Sequence, residues 1–143
     1  MATPDLDTLY CQFVDSVNQR RLADLDRYLT PGVVQHAPET TVGVLAVKHT
    51  LQGWLTALPD LHLLIEDLVT DGDHLIARLV LSGTHRGPMA GLEATPGGDL
   101  EAKAPTGRRV RVAMFDAWWV RDGRCAERWL QLDRLELLRQ LQS

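Results

Sequence analysis

The stretch that decides the fold is residues 110–133, VRVAMFDAWWVRDGRCAERWLQLD. From Val110 to Val120 apolar side chains alternate with other residues, which is the two-residue period of a β-strand. Asp122-Gly123 then supplies a two-residue hairpin turn, and Cys125–Asp133 returns as a second strand. Strands joined by so short a turn pair antiparallel, so this hairpin predicts the centre of a sheet.

A second hairpin precedes the first one in the chain. Leu61–Thr70 and Leu75–His85 are predicted strands, joined at the turn signal Asp71-Gly72-Asp73. The segment Arg86–Gly107, between the two hairpins, is rich in glycine and proline. It is predicted to be a long loop, mobile between Gly91 and Pro105 when no ligand is bound.

Helices are predicted mainly in the first half of the chain, because apolar residues recur there at steps of three and four. The predicted helices are Asp5–Leu22, Ala23–Leu29 and Val44–Leu58, with a short strand Val33–His36 between the last two and a terminal helix Arg134–Gln142. Helices followed by antiparallel strands indicate an α+β fold. We expect one domain, residues 1–143, in which a curved antiparallel sheet wraps around the N-terminal helices and forms a cone with an apolar pocket.

Composition excludes several functions. The chain has 143 residues, 45% of them hydrophobic and 24% charged, with a net charge of −4. It has no apolar run of about 20 residues that would cross a membrane and no concentrated basic face for nucleic acid. Cys11 and Cys125 form neither a disulfide framework nor a metal motif. No pair of histidines has a metal-binding spacing and no glycine-rich nucleotide loop follows a strand, so we expect no metal and no cofactor. The absence of a disulfide framework favours the reducing cytoplasm.

Asp116 is the unusual residue of the first long strand, since alternation places it among apolar side chains. The residues on its face are Val110, Val112, Met114, Trp118 and Val120. Burial raises the pKa of a carboxyl that no cation pairs with, which suits a general acid or base. The alternative is a structural aspartate, satisfied by the backbone or by an arginine.

Asp133 ends the second strand. Strict alternation places it on the face of Trp129 and places Arg128 on the other face. Asp116 and Asp133 would then belong to adjacent strands and form an acid–base pair on one concave face. The alternative is that Asp133 only caps the terminal helix, a role for which aspartate is favoured.

Histidines and aromatic residues complete the candidate site. His36 ends the short strand and His85 ends the longer one, so either can orient a carbonyl or move a proton, although a structural role is the alternative for both. The side chains predicted to bind a flat aromatic substrate are Tyr10, Trp54, His85, Met89, Met114, Trp118 and Trp129.

Taken in order, several stretches resemble the SnoaL-like polyketide cyclase family. They are Gly43, the segment 54–61 (WLTALPDL), 65–69 (IEDLV) with the turn at 71–73, 83–87 (GTHRG), 105–110 (PTGRRV), 122–124 (DGR), 127–129 (ERW) and Asp133. The resemblance covers about residues 14–141. It implies the cone fold of nuclear transport factor two and a cofactor-free cyclase that closes a ring by intramolecular aldol condensation.

The resemblance also implies roles for single residues. Asp133 matches the aspartate acid/base, Asp116 an acidic strand position of related isomerases, and His36 a histidine or asparagine that often follows the short strand. It further implies a homodimer or homotetramer formed through the outer sheet face. The chain departs from the family pattern at Arg128, where histidine is common, and in a longer loop around Glu93–Ala104.

Two other functions stay open at this point. The first is a hydroxylase-like or epoxide-opening enzyme of the same fold, which would activate oxygen or water. The second is a dimer that binds a hydrophobic ligand without catalysis, in which the acidic residues are structural.

Overall fold

The hairpin predicted from residues 110–133 forms the centre of a six-stranded sheet. The computed structural model describes residues 5–89 and 104–142, together with the backbone of 94–95 and 98–99. Its helices are α1 (Leu6–Asn18), a 3-10 helix (Leu22–Arg27), α2 (Val44–Ala57) and α3 (Arg134–Gln142). Its strands are β1 (Leu29–His36), β2 (Thr40–Val42), β3 (His62–Asp71), β4 (His74–Thr84), β5 (Ala94–Thr95), β6 (Gly98–Asp99), β7 (Arg109–Arg121) and β8 (Arg124–Leu132).

The predicted α+β architecture is confirmed, with a sheet that is mixed rather than wholly antiparallel. The strand order is β2-β1-β8-β7-β4-β3. Every neighbouring pair is antiparallel except β1 and β8, which are parallel and place His36 opposite Trp129. Strand β1 begins at Leu29 and not at Val33, and its register shifts between Leu29 and Val34. Pro31 lies in this irregular stretch. Proline has no N–H, and at this position its absence removes no hydrogen bond between the strands.

The first predicted helix ends earlier than its apolar pattern suggested. Helix α1 stops at Asn18, and Arg20 has a left-handed φ of 63°. The Asn18 side chain instead donates to the Leu63 carbonyl (3.0 Å) and accepts from the Leu63 N–H (2.8 Å). These two bonds pair the end of the helix with β3, so the chain leaves the helix there and continues into the 3-10 turn.

The turn between β7 and β8 has a consequence for the whole of β8. Asp122 and Gly123 have φ values of 53° and 77°, as a type I′ turn requires. Directly after it, Trp119 faces Glu127 while Val120 faces Cys125, so β8 carries an extra residue, a β-bulge. The bulge breaks the strict alternation of β8. The side chain of Cys125 points inward at an odd position, whereas beyond the bulge the inward side chains are at even positions, from Arg128 onward.

Helices α1 and α2 lie against the inner face of the sheet. Helix α3 lies beside the start of β7, beyond the end of β8. Strand β8 finishes opposite Met114, which leaves the first residues of β7 without a strand partner on that side. There Gln140 of α3 accepts from the Arg111 N–H and donates to the Arg111 carbonyl, each at 2.9 Å. Leu137, Leu138 and Leu141 bury the apolar side of the helix.

The segment predicted to be a loop contains one short pairing, between Ala94–Thr95 and Gly98–Asp99. Most of the part predicted to be mobile, Gly91 to Pro105, lies outside the described residues. Within the described part of the chain no helix is long and apolar enough to cross a membrane.

Candidate active site

A cavity opens between α1, α2 and the inner face of the sheet. Its volume is about 60 Å³, roughly the space of four or five water molecules. The residues that line it, here called the cavity wall, are Phe13, Val17, Gln35, Ala37, Val47, Thr50, Leu51, Trp54, Leu61, Leu63, Leu81, Met114, Arg128, Leu130, Leu132 and Arg134. An apolar wall with a few polar groups is typical of a small-molecule site.

The wall residues differ in burial. Gln35 and Arg128 are almost fully buried, and we call them the polar end of the cavity. The half-buried wall residues are Ala37, Thr50, Leu51, Leu130, Leu132 and Arg134. An apolar cavity that holds one benzene ring measures about 150 Å³, so an aromatic ligand would require the wall residues to move apart.

Asp116 and Arg128 form a buried ion pair behind the polar end. Arg128 Nη2 lies 2.6 Å from Asp116 Oδ2, and Arg128 Nε lies 3.2 Å from Oδ1. The Arg128 side chain is 5% exposed and the Asp116 side chain is 0% exposed. Burial alone would lower the pKa of Arg128, but the adjacent carboxylate outweighs it, and the pKa is raised. Asp116 therefore lies on the inner face, as predicted, and an arginine satisfies it.

The pair is closed in by aromatic rings. Tyr10 donates its hydroxyl to Asp116 Oδ2 at 2.8 Å. Burial, followed by the Asp116 charge, raises the pKa of Tyr10 well above its usual value, so this phenol stays protonated and donates. Trp118 packs edge-on against Tyr10 and Phe13, with centroids 5.0 and 4.9 Å apart, and the Arg128 guanidinium lies 5.2 Å from the Phe13 ring.

Asp133 lies outside the wall. It is exposed, and its Oδ1 accepts the Glu136 N–H at 3.1 Å, which caps α3. Its chain neighbours Leu132 and Arg134 both belong to the wall. The expectation that Asp133 and Asp116 share one concave face was wrong, because after the bulge the inner face of β8 carries Arg128, Leu130 and Leu132.

His36 and Trp129 lie on the outer face of the sheet. Their rings stack with centroids 5.2 Å apart. His36 Nε2 is 2.7 Å from Glu127 Oε2, and Nδ1 is 2.9 Å from Thr40 Oγ1. Trp129 is 42% exposed. Neither residue belongs to the wall, so the sheet separates this cluster from the cavity.

His85 is fully buried at the end of β4 and also lies apart from the wall. The Thr106 N–H donates to its Nδ1 at 3.2 Å. Burial lowers the pKa of His85, so the neutral ring is favoured. Met89 is likewise buried, and it does not line the cavity.

Of the seven side chains predicted to bind substrate, Trp54 and Met114 line the cavity. Tyr10 and Trp118 lie in the aromatic layer around Asp116. The sequence reasoning missed Gln35 and placed Arg128 on the wrong face. Leu130 and Leu132 could have indicated the inner face of β8 from the sequence, because these two apolar residues alternate with the polar Gln131 and Asp133.

Among the residues that the structure describes, no three His, Cys, Asp or Glu side chains form a group able to hold a metal ion. Cys125 is buried between β8 and the core, and burial raises its pKa to about 12. Its thiol is therefore not a nucleophile near neutral pH.

The fold and the cavity define this chain as an α+β cone protein of the nuclear transport factor two-like type, with an apolar cavity between its helices and its sheet. The family model of the SnoaL-like polyketide cyclases matches residues 7–141. The chain belongs to the SnoaL-like polyketide cyclase family, which makes it an enzyme at the level of the family.

Solved structures agree with this assignment. TsrD from Streptomyces laurentii is 29% identical with a TM-score of 0.81, over 96% of this chain and 94% of that one. IdmH from Streptomyces antibioticus, described as a candidate polyketide cyclase, is 25% identical with a TM-score of 0.76, over 96% and 98%. AclR from Streptomyces galilaeus, described as a candidate hydroxylase, is 23% identical with a TM-score of 0.79, over 98% and 82%, and shows the fold alone. No curated protein matches the chain by sequence.

Proposed function

We propose that this protein closes a ring in an aromatic polyketide intermediate by intramolecular aldol condensation, without a cofactor. The observation that carries the proposal is the apolar cavity with the buried guanidinium of Arg128 at its polar end. An aldol reaction passes through an enolate and then an alkoxide. Hydrogen-bond donors held in an apolar site stabilise such oxyanions strongly, because no solvent has to reorganise around them.

Asp116 and Tyr10 are positioning residues in this proposal. Both carboxylate oxygens of Asp116 accept from Arg128, and one also accepts from Tyr10. These bonds hold the guanidinium in one orientation, and Arg128 belongs to the cavity wall. A fixed donor binds the developing charge without first losing side-chain freedom, which is the advantage of a preorganised site.

Asp133 is the aspartate to which we assign the acid–base step. Asp133 is exposed, and it lies in the chain between two half-buried residues of the wall, Leu132 and Arg134. There it can take the proton that leaves the substrate carbon and return one to the alkoxide after the carbon–carbon bond has formed. His36 receives no step, because it lies on the outer side of the sheet.

The test is turnover of a panel of aromatic polyketide precursors, with the products identified by mass and NMR. Ring closure by aldol addition leaves the mass unchanged, or lower by one water after dehydration. Asp133→Asn is the informative variant, since asparagine caps a helix as well as aspartate does. We expect turnover to fall by at least about 100-fold, within the usual contribution of acid–base catalysis, with the fold retained. Unchanged turnover would remove Asp133 from the mechanism.

A second function is favoured by one observation, namely that no described residue of the wall is a carboxylate. Such a cavity also suits a protein that binds an apolar carbonyl compound and does not transform it. Tight binding without product, at every pH tried, would establish this alternative. A hydroxylase of the same fold would be recognised by an isotope test with labelled oxygen gas or labelled water. Its product would carry the labelled oxygen atom, whereas an aldol cyclisation adds no oxygen atom to the substrate.

A further inference from the structure

Helix α2 faces the cavity with the side that a helix normally packs against its neighbours. Its apolar residues at helical spacing, Val47, Leu51 and Trp54, all belong to the cavity wall. Atoms that border an empty space have no contact partner on that side, so they gain less dispersion energy than packed atoms do. Three of the 14 residues of α2 are buried, against six of the 13 residues of α1. Helix α2 is therefore held by less packing than α1.

Side chains bond α1 and α3 to the sheet, and in the described part of the chain none does so for α2. Asn18, at the end of α1, makes two hydrogen bonds with Leu63. Gln140 of α3 makes two with Arg111. The hydrogen bonds of α2 side chains go to carbonyls of the same helix or to Asp26 of the 3-10 helix. Among the described residues, moving α2 away from the sheet thus breaks no side-chain hydrogen bond to a strand.

The C-terminal end of α2 is pinned in place. The Ala57 carbonyl accepts from the N–H groups of Arg86 (3.0 Å) and Gly87 (3.2 Å), which follow β4. Gly87 lies so close to the helix that a side chain at this position would collide with the Thr56 carbonyl oxygen. Leu58, directly after the helix, is fully buried. This end can therefore serve as a pivot.

The N-terminal half of α2 can change its direction at Gly43. The Gly43 N–H donates to the Val33 carbonyl at 2.8 Å, which fixes the chain just before the helix, and the φ of Gly43 is 103°. Glycine populates several backbone regions without a steric penalty, so rotation at this residue can tilt the helix. Val47 is the one buried residue at positions 44–50, so little packing opposes the tilt.

One ion pair joins this half of α2 to another element, within the residues that the structure describes. Lys48 Nζ lies 3.2 Å from Asp26 Oδ2 of the 3-10 helix, and the Asp26 side chain is 59% exposed. Exposed ion pairs are weak, because water and salt screen the two charges. The pair therefore favours the closed position of α2 only slightly.

The closed cavity is too small for an aromatic ring. Its volume is about 60 Å³, whereas an apolar cavity that binds benzene measures about 150 Å³. Some part of the wall has to move before a ring can enter. The strands are joined by their backbone hydrogen bonds, and α1 is bonded to β3. Helix α2 is thus the part of the wall that moves at the lowest cost in free energy.

We propose that α2 is a hinged cover of the cavity. The helix tilts away from the sheet about its pinned C-terminal end, with Gly43 as the second hinge, and the ion pair of Lys48 with Asp26 holds it closed. A bound ligand stabilises the expanded form, because it gives the wall atoms the contacts that they lack. The inference concerns access to the cavity, so it is independent of the ring-closing function and its tests do not use turnover.

Thiol labelling measures the opening directly. Val47 on α2 and Val14 on α1 are 1% and 4% exposed, so the variants Val47→Cys and Val14→Cys each place a thiol in the interior. Both variants carry Cys11→Ser, and the buried Cys125 is common to both. We expect Val47→Cys to react with iodoacetamide at least about tenfold faster than Val14→Cys, since local opening requires less free energy than global unfolding. Equal rates would refute the hinged cover.

Breaking the ion pair tests its role in closure. Asp26→Ala should increase the labelling rate at position 47 by about two- to fivefold, as expected for an exposed ion pair, and leave the rate at position 14 unchanged. Asp24→Ala is the matched control, since Asp24 lies in the same 3-10 helix and pairs with Arg21 and Arg27. An unchanged rate in Asp26→Ala, or the same increase in Asp24→Ala, would refute the role of the pair.

N-phenyl-1-naphthylamine, an uncharged dye that fluoresces strongly in apolar surroundings, tests the entry of a ligand. Bound dye should protect Val47→Cys from labelling, which places the dye in the cavity. Stopped-flow fluorescence should show that Asp26→Ala speeds its entry by the same factor as the labelling, because both processes require the open form. An unchanged entry rate, or the absence of dye binding that protects position 47, would overturn the proposal.

Discussion

Asp116 and Arg128 are diagonal neighbours on the inner face of adjacent strands, and their side chains meet at 2.6 Å with almost no contact with solvent. Asp116 pairs with Leu130 across the ladder, and Arg128 pairs with Trp118. The two charges therefore neutralise each other inside the sheet, directly behind the cavity. This ion pair accounts for an aspartate in the apolar core and supplies the one guanidinium of the polar end.

Breaking the pair should cost far more stability than breaking an exposed one. We expect Arg128→Met to lower the free energy of unfolding by about 3–5 kcal/mol, because Asp116 is left buried with an uncompensated charge. Arg78→Met is the control, since Arg78 pairs with Glu66 and Asp67 on the surface and such pairs are worth about 0–1 kcal/mol. Urea unfolding measures both, and equal losses would contradict this account.

Tyr10→Phe removes one donor from Asp116 and leaves the ring packing in place. We expect a loss of about 1–3 kcal/mol, as for a hydrogen bond to a charged group. Turnover should fall as well, because Arg128 is held less firmly. Tyr28→Phe is a matched control, since the contact of the Tyr28 hydroxyl with Ser16 is long, at 3.4 Å. A variant Tyr10→Phe as stable as wild type would show that Arg128 alone satisfies Asp116.

The cap at α3 can be separated from catalysis by comparing two substitutions at Asp133. Asp133→Ala should lower the free energy of unfolding by about 1 kcal/mol, since the Glu136 N–H loses its acceptor. Asp133→Asn should unfold like wild type. If both variants lose turnover equally, the carboxylate acts in the reaction; if only Asp133→Ala is impaired, the helix cap explains the effect.

His85 should make the protein less stable in mild acid. Burial lowers the pKa of His85 in the folded state, so the unfolded chain binds the proton more tightly. The neutral His85 ring therefore contributes its full share of folding stability above the pKa of histidine in the unfolded chain, about 6.5. That contribution is lost as the pH falls through and below this value. We expect His85→Asn, which keeps an acceptor for Thr106, to flatten the stability profile between about pH 7.5 and about pH 5. An unchanged slope would contradict the assignment to His85.

The outer sheet face should carry the contact between copies of the chain. Val69, Ile76, Ala117 and Trp129 stand in register across four strands, and Ile76 and Phe115 are 55% and 50% exposed. Exposed apolar rows of this kind mark association surfaces. We expect a dimer or tetramer in light scattering and a smaller species for Phe115→Arg. Leu135→Arg, at a residue that is 66% exposed on α3, is the control, and a wild-type monomer would contradict the expectation.

The placement of β8 side chains shows where prediction from the sequence stops. Both strands of the hairpin and its turn were predicted within one or two residues, because the period of two and the Asp-Gly turn are local signals. The bulge after the turn is not a local signal, since it depends on how Trp119, Val120 and Cys125 pack in the finished sheet. Because of the bulge, Asp133 and Trp129 lie outside the cavity in which they were predicted, and Arg128 lines the cavity instead.

The sequence by itself determined the α+β class, the order of helices and strands, the buried position of Asp116 and, through its motifs, the family. Each depends on residue periodicity or on turn chemistry within a few positions. Only the tertiary structure decided that Gln35 and Arg128 meet at the end of a cavity, and that His36 and Trp129 lie behind the sheet. Those relations join β1 to β8 across more than 90 residues, and they depend on a parallel pairing and a bulge that are decided by packing of the whole sheet.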